Sequence, residues 1–151
     1  MNKTDRVPIG LQHRPIVGID DYSSYDGLYK DATDAKALSV GLAQWKYEEE
    51  DGEKEISAKV FRRKENRWSR QSEELPIHRC FDLCILIVQA LQRSTKGEFF
   101  EVDQDNFFKP YVVNEKELEA INLFFEKYKD AYLLEKMENL KDLLERFLSQ
   151  K

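Results

Sequence analysis

Residues 56–88 read ISAKVFRRKENRWSRQSEELPIHRCFDLCILIV, and this stretch decides the predicted fold. Its first residues alternate between apolar and polar, which is typical of a strand with one better-buried face. The segment RRKEN then turns the chain and RWSR returns, so a hairpin is predicted over about 56–70. Pro76 suits the first position of a helix, and LCILIV at 83–88 is apolar on all sides. We therefore expect a buried central helix over about 77–92, packed against a small antiparallel sheet.

Weaker patterns predict the elements that precede this stretch. Residues 16–19 are mostly β-branched and follow a proline, which favours a short strand. A helix is predicted over about 34–46. The evidence for it is that Leu38, Leu42 and Trp45 recur at spacings of four and three residues, which places them on one helical face.

The C-terminal part of the chain carries two apolar stripes at helical spacing, which predict a helical pair over about 115–149. The step from Tyr128 to Leu133 takes five residues, so a break is expected near Lys129–Asp130. A single kinked helix is the alternative. The second stripe is expected to pack on the domain's own core, with homodimerisation as the alternative. Its members are Leu133, Met137, Leu140, Leu144 and Phe147.

Length and composition predict one α+β domain over residues 1–151, in which 115–151 forms either a subdomain or a dimerisation element. A chain of 151 residues can bury one sizeable core. The net charge of −5 argues against duplex nucleic acid as a partner, since phosphate binding needs a net basic face. No apolar run reaches 18 residues, so no membrane span is expected, and no secretory leader is recognised.

The two cysteines favour a reducing, cytoplasmic location. Cys80 and Cys84 stand four residues apart in the predicted central helix, which is a poor geometry for a disulfide. They are expected to be small buried thiols. Without a CxxC motif or a paired histidine, neither a metal site nor any other cofactor is predicted.

Charge is segregated into two neighbouring blocks. Residues 59–70 hold six basic side chains against Glu65 alone, and residues 48–55 hold six acids against Lys54. A basic hairpin that carries Trp68 could bind a phosphate or an anionic partner. The preferred interpretation is that the two blocks largely neutralise each other, because charge runs are usually solvated faces.

His78 and Asp82 are the weak catalytic candidates. Four residues apart on a helix, they share one face, and a carboxylate beside an imidazole suits a general base. No nucleophile elbow, Gly-rich phosphate loop or metal-ligand spacing accompanies them. We expect instead that Asp82 pairs with Arg79 or with an arginine of the hairpin and locks hairpin to helix. The candidates for ligand binding are Arg67, Trp68, Arg70, Gln71, Glu73, Glu74, His78 and Arg79.

The loop over residues 20–34 is rich in aspartate and tyrosine. It holds five aspartates and three tyrosines, without the alternating ligand spacing that calcium requires. Turn and cap chemistry accounts for most of this composition. A recognition surface is the alternative.

Two motifs, DAKALSVGLAQW (34–45) and SAKVFRRKENRWSRQSEELPIHRCFDL (57–83), resemble those of a family of small bacterial proteins of unknown function. The shared cores have the form DAKALS-GLAQW and WSRQSEELP-HR--DL. The resemblance covers roughly residues 12–90. It implies a small bacterial, cytoplasmic α+β domain and carries no assigned activity.

The leading functional hypothesis is a non-enzymatic binding or regulatory module, with an immunity-type role as one form of it. Its partner would be another protein or a small anionic ligand, and a homodimer through the C-terminal helices is a further expectation. The alternative is an enzyme or binding protein for a small phosphorylated or carboxylated ligand. In that case Arg67 and Arg70 would clamp the anion, and His78 and Asp82 would serve as acid and base.

Overall fold

The computed structural model describes residues 5–26, 29–44, 55–68, 75, 77–102 and 108–150. Within these ranges the chain forms five strands and three α-helices. In chain order they are β1 (Arg14–Ile19), β2 (Ala35–Leu42), β3 (Ile56–Lys64), β4 (Arg67–Trp68), α1 (Ile77–Lys96), β5 (Tyr111–Val112), α2 (Leu118–Tyr128) and α3 (Leu134–Leu148).

The strands form one antiparallel sheet in the order β4-β3-β2-β1-β5. The predicted α+β class is therefore confirmed, as are the hairpin and the strand at 16–19. The hairpin turns through Glu65 and Asn66, whose φ angles of 49° and 71° fit a two-residue turn that matches the twist of the strands. Residues 69 and 70 of the predicted hairpin lie outside the described residues.

The predicted helix over 34–46 is wrong, because Ala35–Leu42 is the central strand of the sheet. A central strand is buried on both faces, so it lacks the polar alternation by which strands are recognised. A spacing of four residues, as between Leu38 and Leu42, puts two side chains on the same side of a strand as well as of a helix. Trp45, which supplied the spacing of three, lies outside the described residues.

Gly41 is required where β2 passes the irregular start of β1. The pairing of these strands shifts register between Pro15 and Val17. A β-carbon at Gly41 would lie 2.0 Å from the carbonyl oxygen of Arg14, which is far inside a van der Waals contact. Glycine at this position therefore lets the two backbones meet.

Each face of the sheet has its own apolar cover. Toward α1 the cross-strand pairs are Leu38 with Val60 and Val40 with Ala58, so Ala58 and Val60 lie on one side of β3 as predicted. The prediction that this side is the better buried one is wrong, because both residues are only partly buried whereas Phe61 on the other side is buried. On the opposite face a smaller cluster of Val7, Ala37 and Phe61 forms beneath the segment that precedes β1, with Leu11, Trp68 and Val113 packed against it.

Only one side of α1 packs on the sheet, so the prediction that this helix is buried all round is wrong. Arg79, Leu86, Gln89 and Ala90 are buried on the inner side. The outer side leaves apolar residues exposed, as described below. Although α1 has 20 residues, no helix within the described ranges is long and apolar enough to cross a membrane.

The C-terminal helices are continuous, joined by a π-helical turn over Lys129–Leu133. This turn takes up the five-residue step predicted from Tyr128 to Leu133, since a π-helix advances by one extra residue per turn. The predicted break near Lys129–Asp130 is therefore a change of helical type, and the alternative of one distorted helix is closer to the structure. A 3-10 turn at Glu115–Glu117, capped by Asn114, opens α2.

The prediction that the second stripe packs on the domain's own core is wrong. Side chains of α3 remain exposed along its length, and Phe147 is 70% exposed. Every residue of α3 from Glu135 onward is exposed, and none of its residues is buried. The helix therefore carries an uncovered apolar stripe, which includes Met137, Leu140, Leu144 and Phe147.

Candidate functional site

A buried carboxylate, Asp26, is the centre of the polar cluster beside α1. Its side chain is fully buried and accepts two hydrogen bonds from Arg79, Nε to Oδ1 at 3.2 Å and Nη2 to Oδ2 at 2.7 Å. The His78 Nε2 donates to the same Oδ1 at 2.8 Å. Two consecutive residues in the first turn of α1 thus bind one aspartate of the loop that joins β1 to β2.

Local turn chemistry brings this loop to α1. A 3-10 turn over Tyr22–Ser24 follows Asp21, whose φ is 54°, a conformation that aspartate tolerates better than most residues. At the far end of the loop, the Thr33 hydroxyl accepts a hydrogen bond from the amide of Ala35 at 3.1 Å and contacts Arg79 Nη2 at 3.4 Å. The loop is therefore fixed to α1 at both ends, and the prediction of turn and cap chemistry is supported.

Asp82 has a different partner from the one predicted. Its Oδ2 accepts a hydrogen bond from the hydroxyl of Tyr22, a side chain with no exposed surface. Arg79, the expected partner, is bound to Asp26 instead. The prediction that Asp82 locks the hairpin to the helix is wrong for Arg67, which is exposed and contributes to β4, while Arg70 lies outside the described residues.

The two carboxylates have opposite electrostatics. Burial would raise the pKa of Asp26, but hydrogen bonds from Arg79, His78 and Thr33 hold that pKa below its ordinary value. Burial dominates at Asp82, whose pKa is raised in spite of the hydrogen bond from Tyr22. Burial and the neighbouring carboxylate raise the pKa of the Tyr22 hydroxyl as well. Asp26 and Arg79 therefore form a charged pair, whereas Tyr22 keeps its proton beside Asp82.

This arrangement leaves little capacity for catalysis. Both oxygens of Asp26 are occupied, and the Arg79 side chain is 6% exposed, so neither group is readily available to a ligand. The side chain of His78 is 28% exposed, with the ring of Tyr29 6.0 Å from its own. An imidazole oriented by a carboxylate is what a general base requires, but here the carboxylate is already neutralised by an arginine. The cluster is best described as a joint between loop and helix.

The structure brings together only part of the predicted site. His78, Arg79 and Asp82 share the cluster, whereas Trp68 lies against Phe61 on the opposite face of the sheet, with ring centroids 5.8 Å apart. Arg70, Gln71, Glu73 and Glu74 lie outside the described residues, so their role in ligand binding stays a prediction. Sequence reasoning missed Tyr22 and Asp26, which are the partners of Asp82 and Arg79.

The basic hairpin is neutralised in part, by acids other than those predicted. Arg62 pairs with Asp34 at 2.9 Å, and Arg63 pairs with Asp5. The guanidinium of Arg63 also lies 5.4 Å from the ring of Trp68. Most of the acidic block at 48–55 lies outside the described residues, so its pairing with the hairpin is not observed.

A second polar cluster, also missed by sequence reasoning, lies on the other face of the sheet. The ring of His13 is hydrogen-bonded through Nε2 to the hydroxyl of Ser39 at 2.9 Å and through Nδ1 to that of Ser57 at 3.2 Å. Burial, with the charge of Lys59, lowers the pKa of His13 to about 4. Ser39 has no exposed surface and His13 is 2% exposed, so the hydrogen bond between them is an internal contact of the fold.

The outer face of α1 exposes a continuous apolar stripe. Ile77, Phe81 and Val88 are 78%, 52% and 43% exposed, and Cys84 between them is exposed as well. These four residues follow one another at spacings of four, three and four, which defines one side of a helix. The expectation of buried thiols is wrong, since both Cys80 and Cys84 are free and exposed. The stripe of Ile77, Phe81, Cys84 and Val88 is called the α1 stripe below.

A surface pocket of about 590 Å³ lies where the chain leaves α1 and approaches β5. None of the predicted site residues that the structure describes lines it. Its lining consists of Phe99, Phe100, Glu101, Val102, Lys109 and Pro110.

Comparison with protein families gives one finding. Residues 5–106 match the model of DUF6530, which is described as a family of unknown function. The match ends before α2 and α3. Comparison with curated proteins and with solved structures gives no match.

Proposed function

Since the chain belongs to DUF6530, a family of unknown function, we propose a role from its surface: a non-enzymatic binding module that docks a protein partner on the α1 stripe. The observation that carries this proposal is the row of exposed apolar side chains from Ile77 to Val88. Large apolar side chains that are contiguous and uncovered mark interaction surfaces on soluble domains.

One flank of the stripe supports the same role. Cys80 and Ile87, which both lie beside the stripe on that flank, are uncharged, and Ile87 is 37% exposed. Interfaces are depleted of charge at their centre and place polar residues at the rim. A helix face without charge in a chain with 35% charged residues is therefore suited to a partner's apolar surface.

The polar cluster supports binding rather than catalysis. Asp26 and Arg79 neutralise each other, and the cluster anchors the first turn of α1 at the end of the stripe where Ile77 stands. A helix held in this way presents its outer side chains in a fixed orientation, which lowers the entropic cost of association. The two free, exposed thiols support a reducing compartment, and we propose a bacterial cytoplasm as the location.

The proposal is tested with one substitution in the stripe and one outside it. Three proteins are used as bait in an extract of the cells that naturally make this chain: the full chain, the Phe81→Glu variant and the control Lys96→Glu. Lys96 is an exposed residue at the end of the same helix. A protein retained by both the wild type and the control is identified, purified and titrated by calorimetry. We expect Phe81→Glu to weaken its binding by at least tenfold, because a charge would be placed at the centre of the contact.

Two results would contradict the proposal. One is a purified partner that binds the Phe81→Glu variant as tightly as the wild type. The other is that neither the extract nor the chain itself supplies a protein whose binding depends on Phe81.

A further inference from the structure

The stripe of α3 alternates spacings of three and four residues, as the α1 stripe does. Met137, Leu140, Leu144 and Phe147 follow one another at spacings of three, four and three, the seam pattern by which helices pair side by side. The acids of α3 lie on the opposite side of the helix, at positions 135, 138, 142 and 145. Both helices therefore present an apolar seam that remains exposed among the residues that the structure describes.

α3 continues α2, but its own 15 residues gain little from packing. Most helical stability in proteins comes from packing of an amphipathic face, and no residue of α3 is buried. Six of its large apolar side chains are at least 37% exposed. The apolar side of α3 is therefore suited to a covering surface, and none of the described parts of the chain covers it.

We infer that the covering surface is a second copy of this chain, with α3 of each copy packed along the α1 stripe of the other. This inference rests on the proposed function, because it names the partner that the α1 stripe binds. The arrangement is reciprocal, so the two contacts are related by a two-fold axis and the assembly closes as a dimer.

The available area supports the use of both helices. A large apolar side chain has roughly 100 Å² to bury, so the exposed fractions leave roughly 300 Å² of apolar surface on α3 and roughly 200 Å² on the outer face of α1. A stable interface buries about 800 Å² on each partner, of which about 60% is apolar. Neither helix alone supplies the roughly 500 Å² that this requires, whereas the two together do.

Charge favours α1 over α3 as the surface that α3 meets. Lys136 and Lys141 flank the seam of α3, one on each side. Two α3 helices paired along this seam would bring lysines of one copy close to those of the other, which is unfavourable. The flank of the α1 stripe formed by Cys80 and Ile87 is uncharged, so α3 can pack there without bringing a lysine against another cation.

Native Cys84 provides a direct test, since it lies within the α1 stripe. In a Cys80→Ser background, Met137→Cys, Leu140→Cys and Leu144→Cys are made one at a time, and Asp142→Cys on the opposite side of α3 is the matched control. After mild oxidation, we expect at least one seam variant to form a disulfide between two chains at least tenfold faster than the control. Peptide mapping should join Cys84 of one chain to the new cysteine of another, because a disulfide requires Cα atoms within about 7 Å.

Adding Phe81→Glu to the crosslinking variant should abolish the bond, and light scattering should show a wild-type dimer that this substitution converts to a monomer. Seam variants that crosslink no faster than the control, that join α3 to α3, or that close within one chain would each overturn the inference. If the wild type is a monomer at every concentration but another protein from the extract binds it and not Phe81→Glu, the inference of a dimer is overturned. The proposed function then remains intact. A monomer that also lacks any such partner would overturn both.

Discussion

The two sides of α1 make opposite use of their side chains. On the inner side, Arg79 and Gln89 are polar and buried, and both are hydrogen-bonded. Arg79 bonds Asp26, and Gln89 bonds the backbone of Phe100 through both ends of its amide. On the outer side, Phe81 and Val88 are apolar and exposed. In an ordinary surface helix these preferences would be reversed.

This difference separates stability from association. Among the described residues, every buried side-chain nitrogen or oxygen has a hydrogen-bond partner, so the inner polar groups are tied to the fold. The outer residues contribute no such contacts, and their exposure is unfavourable until another surface covers them. Substitutions on the inner side should therefore reduce the stability of the monomer, whereas those on the outer side should alter binding.

The strongest test of the inner side is Asp26→Asn, which removes the charge that neutralises Arg79. Breaking a buried ion pair on one side costs about 3–5 kcal/mol, because the remaining charge stays buried without compensation. We expect a loss of this size in the free energy of unfolding, measured by urea denaturation at pH 7. The pKa of Asp26 is lower in the folded chain than in the unfolded chain. The stability that Asp26 contributes is therefore fully present at a pH above its unfolded-state pKa, and it is lost as the pH falls through its folded-state pKa.

The matched control is Asp31→Asn, an exposed aspartate of the same loop with a φ of 63° that asparagine also adopts. It should change the free energy of unfolding by less than about 0.5 kcal/mol. Equal losses for the two variants would show that Asp26 is not specifically needed and would break the contrast between the sides of α1.

The second test concerns His13, a buried group that is neutral in the folded chain, and the pH dependence that its burial gives to the stability of the fold. The pKa of His13 is lowered from 6.5 to about 4, so between these values the unfolded chain binds a proton that the folded chain does not. The stability of the fold should therefore fall by about 3 kcal/mol as the pH drops from 7 to 4. Urea midpoints measured across this range should show the decrease.

His13→Gln is the control for this pH dependence, since glutamine can bond both Ser39 and Ser57 and does not titrate. Its stability should change less between pH 6.5 and 4 than that of the wild type. If the two curves run in parallel, His13 is not the group responsible.

The contrast also shows what local sequence patterns can predict. Three features that depend on spacings within a few residues were predicted: the hairpin, the start of α1 and the five-residue step from Tyr128 to Leu133. The strand β2 was not, because a spacing of four residues fits strand and helix alike and its full burial removed the alternation.

The polar cluster was predicted only from the helix side. His78, Arg79 and Asp82 stood out as charged residues at the start of an apolar helix, but their partners are more than 50 residues earlier in the chain. Pairing across such a distance is set by how the loop packs on the sheet, and no local pattern distinguishes Asp26 from the other aspartates near it. The signal that could have found it is the need of a buried arginine for a carboxylate.

Tyr22→Phe tests the smaller of the two inner contacts. It removes the hydrogen bond to Asp82 and leaves that carboxylate without its donor, which should cost about 1–2 kcal/mol by urea denaturation at pH 7. Burial raises the pKa of Asp82, so its charged form is already unfavourable. Replacing Tyr22 and Asp82 together should therefore cost less free energy of unfolding than the sum of the two single replacements. The double variant Tyr22→Phe with Asp82→Ala measures this coupling, and simple additivity would show that the hydrogen bond contributes nothing.

The smallest effect is expected on the outer side, where Phe81→Ser should leave the monomer nearly as stable as the wild type. Substitution of a surface side chain away from the core usually changes the free energy of unfolding by less than about 0.5 kcal/mol. On the inner side of the same helix, Leu86→Ala should cost about 2–5 kcal/mol, because Leu86 has no exposed surface and its loss leaves a cavity. Thermal unfolding at low protein concentration measures both.

Protein concentration then separates the two roles of α1. If the stripe is an interface, the wild-type melting temperature rises with concentration, because association stabilises the folded chain by mass action. Phe81→Ser should lose this rise, whereas Leu86→Ala should keep it and melt lower throughout. A Phe81→Ser variant that melts well below the wild type even when dilute would mean that Phe81 supports the monomer, and the outer side of α1 would then belong to the fold rather than to a partner.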